Sequence, residues 1–216
     1  GNLDIFLGEK RFQKKSVAPG ALTTDLDVSY ASSMLKKVNS MLAVLAVESE
    51  DLNELELKEY ARAMSKQLAG QYNFILEDLS RSSNTKTDLK YIAENNDIIT
   101  LVLEPTISSV RETKRVLASL EYLNSRARCI VVVNYTMVDK SATISLDEIK
   151  QFLGRNVDVV CPNEIQVGKM VLEGKHIYQL GLPISQSLSR LTSMLLGENA
   201  SNAEASLLKK IFKRFK

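Results

Sequence analysis

The sequence predicts an α/β fold, a parallel sheet with helices on both faces. Three observations carry this expectation. Continuous apolar runs recur at 41–47 (MLAVLAV), 97–103 (DIITLVL) and 129–133 (CIVVV). Runs without polar alternation suit strands that are covered on both faces. Segments of helical spacing lie between the runs, and alternation at this length implies right-handed βαβ units.

The elements follow in order. Pro19-Gly20 marks a turn, and Thr23, Thr24 and Asp25 can cap a short helix running toward Val38. The run at 41–47 is the first strand. Residues 54–68 (ELELKEYARAMSKQL) form a helix with Gly70 as its C-cap. A short strand at 73–77 follows, apolar from Phe74 to Leu76 and ending in Glu77 and Asp78. After the strand at 97–103 comes a helix over 108–123, with apolar positions at 110, 116, 117, 120 and 123. The strand at 129–133 ends at Asn134. Ser145 and Glu148 have the spacing of a capping box and open a helix over 145–153. A strand at 157–161 and helices over 163–173 and 184–196 complete the body, with Gly197 as the last stop. There is no internal repeat. The domain is expected over 1–197. Residues 198–206 (ENASNAEAS after Gly197) read as a small, polar, flexible linker, and 207–216 as a separate tail.

Composition excludes several classes. The chain has 216 residues, 44% hydrophobic and 25% charged, as in a soluble globular protein. No apolar run approaches the roughly 20 residues of a membrane span. The opening GNLDIFLG has no basic region of a signal peptide. Cys129 and Cys161 form no C-x-x-C pair and read as buried thiols of a cytosolic protein. The single histidine, His176, speaks against catalytic triads and multi-histidine metal sites. Net charge is +2, but the last ten residues hold five bases and no acid. The body therefore carries 23 of the 28 bases and all 26 acids, and is mildly acidic. A nucleic-acid-binding body is not expected from that balance.

Four segments together resemble the ParA/MinD family of P-loop ATPases, and most closely its pilus-assembly branch, CpaE or TadZ. GNLDIFLG is similar to the stretch after that family's second strand. YNFILEDLSR resembles "YDYIIVDLPR", and LVLEPTISSVRETKRVL resembles "lvtePslaSlrdarrll". IVVVN and then SLDEIKQFLGRNVDVVCPNEIQVGKMVLEGKHI resemble "lvlNr" and the family's closing IP-D-x-x-x-v-x-x-A-x-x-x-G-x-P-i segment. The likeness spans roughly residues 1–195 and rests on order and spacing, since each motif alone is weak. It implies a P-loop NTPase sheet that binds ATP and Mg²⁺ off the carboxyl ends of its strands.

By this resemblance Asp78 takes the place of the acid that orients Mg²⁺ and its waters, both metal-binding and catalytic. Asn134 takes the place that hydrogen-bonds adenine, and Pro162 lies in the loop packed near the base. The family's glycine-rich phosphate loop has no counterpart, because no G-x-x-x-x-G-K-[ST] occurs in the 216 residues. It would lie before Gly1, so the N-terminal strands of the sheet are expected to be missing and strand edges to be unpaired. GKMVLEGK at 168–175 is no substitute. It has one residue too many between its glycines, lacks the Ser/Thr, and falls on a predicted helix. Ser80 stands where the family often has proline, and no glycine follows Asp78 to make a mobile turn. Arg81 and Arg111 read as solvated surface arginines.

The tail has its own geometry. At about 100° per residue, Leu207, Leu208, Ile211, Phe212 and Phe215 fall within an arc of about 140°. Lys209, Lys210, Lys213, Arg214 and Lys216 fill the arc from about 180° to 340°. This pattern suits the interface of an anionic membrane, and MinD proteins end in a similar short helix. The resemblance thus implies a positioning ATPase that localises pilus (Flp/Tad) or secretion assembly proteins. It would be a homodimer with ATP, cytoplasmic, and peripheral at the inner membrane through its tail. Two other readings share the fold: a non-catalytic scaffold, and a cell-division or partitioning ATPase.

Overall fold

A computed structural model describes residues 14–17, 27–79, 86–136, 143–173, 177 and 181–198. The chain divides into two compact units, residues 1–78 and 79–216.

In the first unit, β1 (Lys15–Ser16) pairs in parallel with β4 (Val47–Glu48). Between them in sequence lie α1 (Val28–Ser33), β2 (Leu35–Lys37) and β3 (Ala43–Leu45), with β2 and β3 paired antiparallel. The expected helix toward Val38 is therefore only α1, capped by Asp27, and a strand follows it directly. The apolar run at 41–47 is likewise not one strand. Asn39 Oδ1 accepts from the backbone N–H groups of Met41 and Leu42, each at 2.8 Å, and closes a hairpin. The run then divides between two separate sheets. A continuous apolar run carries no period, so it does not reveal where a strand changes partner.

Helix α2 (Glu54–Leu68) has the predicted bounds. Asn53 and Glu56 form a capping box at its start, while its C-cap is Ala69, one residue before the predicted Gly70. Tyr60, Met64 and Leu68 form a stripe packed with Val17, Ala31 and Met34, the core of this unit. Tyr60 donates a hydrogen bond to the Tyr30 hydroxyl at 3.0 Å. Burial, and then this bond, push the Tyr60 hydroxyl well above its ordinary value. A folded-state value above the unfolded one gives stability that is complete below the unfolded pKa of about 10 and lost as pH rises past it. The urea midpoint is thus expected to fall as pH rises above about 10, and Tyr60→Phe should flatten that fall. The same change costs about 1 kcal/mol at neutral pH. An unchanged alkaline slope in Tyr60→Phe would assign the loss to other groups.

The strand expected at 73–77 does not form: after α2, Phe74, Ile75 and Leu76 carry no regular secondary structure and pair with no strand among the described residues. All three side chains are exposed, Leu76 by 83%.

The second unit contains the regular sheet. Strands β5 (Ile98–Leu103), β6 (Arg128–Asn134) and β7 (Val159–Cys161) pair in parallel in that order. Helix α3 (Lys86–Asn95) precedes β5 and was not expected from the sequence. Helix α4 (Ile107–Tyr122) joins β5 to β6, and α5 (Leu146–Leu153) joins β6 to β7. Helices α6 (Ile165–Leu172) and α7 (Pro183–Leu195) follow. The Ser145–Glu148 capping box forms as predicted, and α5 ends at Gly154 in the left-handed region, φ 71°.

Helices cover both faces of this sheet. On one face Leu103, Val131 and Val133 pack with Val110 of α4 and with Ile149 and Leu153 of α5. On the same side Leu89 and Ile92 of α3 pack with Ile99 and with Val116 and Leu120 of α4. On the other face Ile130, Val132, Val159 and Cys161 lie under Ile184, Leu191, Met194 and Leu195. That cover stops short of β5. Val102 is 63% exposed, whereas Val132, its register partner, is 2% exposed. The outer edge of β5 has no partner among the described residues.

Candidate functional site

In a parallel sheet the carboxyl ends of all strands open on one side, which is where α/β proteins hold ligands. In the second unit this rim is built by β5, β6 and β7. Asn134 is the last residue of β6, half-buried and in register with Cys161. The ladder runs one step further, where Tyr135 donates to the Cys161 carbonyl at 2.9 Å. Pro162 follows Cys161 directly and is also half-buried. The fold thus brings the two residues assigned near the base, Asn134 and Pro162, to the ends of neighbouring strands. An asparagine amide offers both a donor and an acceptor, as an adenine edge requires.

Glu104 and Thr136 belong to the same rim and were missed in the sequence. Glu104 follows β5, and its carboxylate accepts from the Thr136 hydroxyl at 2.9 Å. Its backbone N–H donates to Ser109 Oγ at 3.1 Å, and Thr106 caps α4 through Ser109 N–H. The signal was present, since Glu104 follows an apolar run just as Glu77 and Asp78 follow theirs.

Asp78 is the last residue of the first unit and is exposed. Its neighbour Glu77 faces Arg62 of α2, with Nε and Oε1 3.5 Å apart. No group of three or more His, Cys, Asp or Glu among the described residues could hold a metal ion unaided. A solvent-facing Asp78 fits an acid that orients a metal through its waters, with phosphate oxygens completing the shell. Asn134 and Pro162 fit a base-contacting rim. No residue of the chain fits the phosphate cradle, because the glycine-rich loop is not in the sequence.

The remaining expectations divide. Cys161 is buried and Cys129 half-buried, both free. Burial pushes both thiols up, with Asp158 adding to the shift of Cys129 and Arg155 opposing it, so neither has the character of a nucleophile. Gly168 lies within α6, as the rejection of 168–175 as a phosphate loop requires. Arg111 is exposed. His176, Ser80, Arg81 and the tail 207–216 lie outside the described residues. Among the described residues no helix is long and apolar enough to cross a membrane.

No family model matches the chain. It is 22% identical over 225 residues to the septum site-determining protein MinD of Helicobacter pylori, covering 100% of this chain and 82% of that protein. Solved structures of similar form include MinD in the MinC:MinD cell division complex of Aquifex aeolicus. That likeness has TM-score 0.65 and 22% identity, over 92% of this chain and 79% of that one. A ParA family ATPase from Chlorobium tepidum gives TM-score 0.66 and 18% identity, over 87% and 79%. MinD complexed with Mg-ADP from Pyrococcus horikoshii gives 0.62 and 15%, over 90% and 78%. The chain has the α/β fold of the MinD and ParA P-loop ATPases.

Proposed function

We propose that this chain is the body of a ParA/MinD-type positioning ATPase of the CpaE/TadZ kind. Its task would be to localise pilus or secretion assembly proteins at the inner membrane. The observation that carries this reading is the placement of the motif residues on a MinD/ParA fold. Asn134 and Pro162 sit at adjacent strand ends, and Asp78 follows an apolar run and is exposed. The CpaE/TadZ branch rests on the order and wording of the four motifs. The Mg-ADP complex of a structural relative supports nucleotide and Mg²⁺ as ligands. The MinC complex of another supports docking of protein partners.

In this mechanism Asp78 would hold the waters of Mg²⁺, which when bound neutralises charge on the β- and γ-phosphates. Asn134 would hydrogen-bond the adenine edge, and Pro162 would wall the base. A homodimer holding ATP would present two tails at once. The second tail then binds at the effective concentration set by the first, so weak single-tail affinity is multiplied. Hydrolysis would separate the tails and release the protein.

A non-catalytic scaffold of the same fold is the second reading, favoured by the lack of a glycine-rich phosphate loop in these residues. The MinD relatives favour a third, a cell-division ATPase. Sedimentation velocity of the protein as its own cells make it separates the first two. The ATPase reading expects a dimer with Mg·ATP and a monomer with ADP. One unchanged species in both nucleotides would leave the scaffold reading.

A further inference from the structure

We propose that the tip of the β2–β3 hairpin is a second membrane contact of this protein, fitted to an anionic lipid surface. The proposal shares the membrane reading given above, but it uses residues 36–42 and not the tail. Two observations carry it. The tip is apolar and uncovered, with Met41 58% and Leu42 38% exposed, while Val44, further along β3, is 9% exposed. Its surroundings are basic. From Val28 to Val47 the sequence holds Lys36 and Lys37 and no acid. The acids at either end of that stretch are engaged elsewhere. Asp27 caps α1 by accepting from the Tyr30 N–H at 2.6 Å, and Glu48 lies 3.9 Å from Lys14 Nζ. The body as a whole is mildly acidic, so this stretch departs from it in sign.

The tip is also built to lose water. A loop that enters a lipid interface must satisfy its own backbone groups, because lipid offers them no partner. Asn39 Oδ1 already accepts from the N–H groups of Met41 and Leu42. The Leu42 carbonyl accepts from the N–H groups of Val38 and Asn39, at 2.9 and 3.2 Å. Met41 and Leu42 can therefore leave water without stranding these groups. The occupant follows from size and charge. A stable protein interface buries about 800 Å² per partner, far more than two part-exposed side chains supply. A bilayer needs no matched surface of that size. Each apolar side chain partitions into it separately, and each base adds attraction to anionic headgroups. Lys37 is exposed directly behind the tip, paired across the hairpin with Ala43. Such a contact is weak alone and adds to that of the tail, since both belong to one molecule.

The chain has no tryptophan, so Met41→Trp in the full chain places a single reporter at the tip. Vesicles of phosphatidylglycerol and phosphatidylcholine are expected to shift its emission to the blue, and brominated acyl chains in them to quench it. Vesicles of phosphatidylcholine alone are expected to do neither. Co-sedimentation with the anionic vesicles reads two further variants. Met41→Ser is expected to weaken partitioning about tenfold, and Lys37→Gln about fivefold. Both positions are exposed, so the urea midpoint should stay that of the parent. If the protein co-sediments while the tryptophan is neither shifted nor quenched, the inference falls, and the tip is left to a protein partner while the tail holds the membrane. An equal shift with phosphatidylcholine alone, or parent partitioning in Lys37→Gln, overturns the fit to an anionic surface. If the protein sediments with neither kind of vesicle, the membrane role of the tail falls as well.

Discussion

Removal of residues 207–216 is expected to release the protein from anionic vesicles. The reason is local and additive. Five bases lie on one side of the helical wheel and five apolar side chains on the other. Each base near an anionic surface contributes about 1 kcal/mol. Burying two phenylalanines and three aliphatic side chains adds a few kcal/mol more. Ten residues do not hold a helix in water, so the helix forms as it binds, and ordering costs part of that gain. Replacing Lys209, Lys210 and Lys213 by glutamine removes about 3 kcal/mol, roughly a hundredfold in partitioning. Raising ionic strength from 0.1 to 1 M shortens the screening length from about 10 to 3 Å and should release the intact protein too. Co-sedimentation with vesicles containing anionic lipid reads all three effects. If the truncated protein sediments like the parent, the tail is a protein-docking element and the membrane role is lost.

Asp78→Asn is expected to slow ATP turnover about 100- to 1000-fold, the usual cost of removing one preorganised electrostatic contact. The substitution keeps size and shape but removes the charge that, in the proposed mechanism, would order the metal's waters. Nucleotide affinity should change much less, because the proposed contacts to the base come from Asn134 and Pro162 and not from Asp78. The loss should thus appear in kcat rather than in KM. Turnover at the parent rate in Asp78→Asn would remove Asp78 from the site.

Periodicity revealed the second unit far better than the first. The runs at 97–103 and 129–133 became β5 and β6 almost residue for residue, and the Ser145–Glu148 box formed as read. These are local signals, or strands whose partners lie one helix away. In the first unit, 41–47 has the same apolar character yet serves two sheets. There the deciding information was the polar Asn39 turn, not the run itself. Helix α3 was missed because its buried face is short, Leu89, Ile92 and Ala93. The place of Asn134 at a strand end was legible from the apolar run before it. Glu104 has that same position and was passed over. The Arg62–Glu77 pair could not have been found by pattern, because it joins α2 to a segment without regular secondary structure.

The edge of β5, unpaired among the described residues, and the exposed Val102 follow from the same reasoning in reverse. An apolar strand reads as interior, and natural edges are usually blunted by charge or proline. Residues Ile98–Leu103 contain neither.

The central claim is that this fold works as a nucleotide switch, and Mg²⁺-dependent ATP hydrolysis by the protein purified from its own cells tests it most directly. Turnover that requires Mg²⁺ and is lost in Asp78→Asn is the predicted result. A protein that neither binds nor hydrolyses ATP, yet still engages its partners, would contradict the account and establish a scaffold on the same fold.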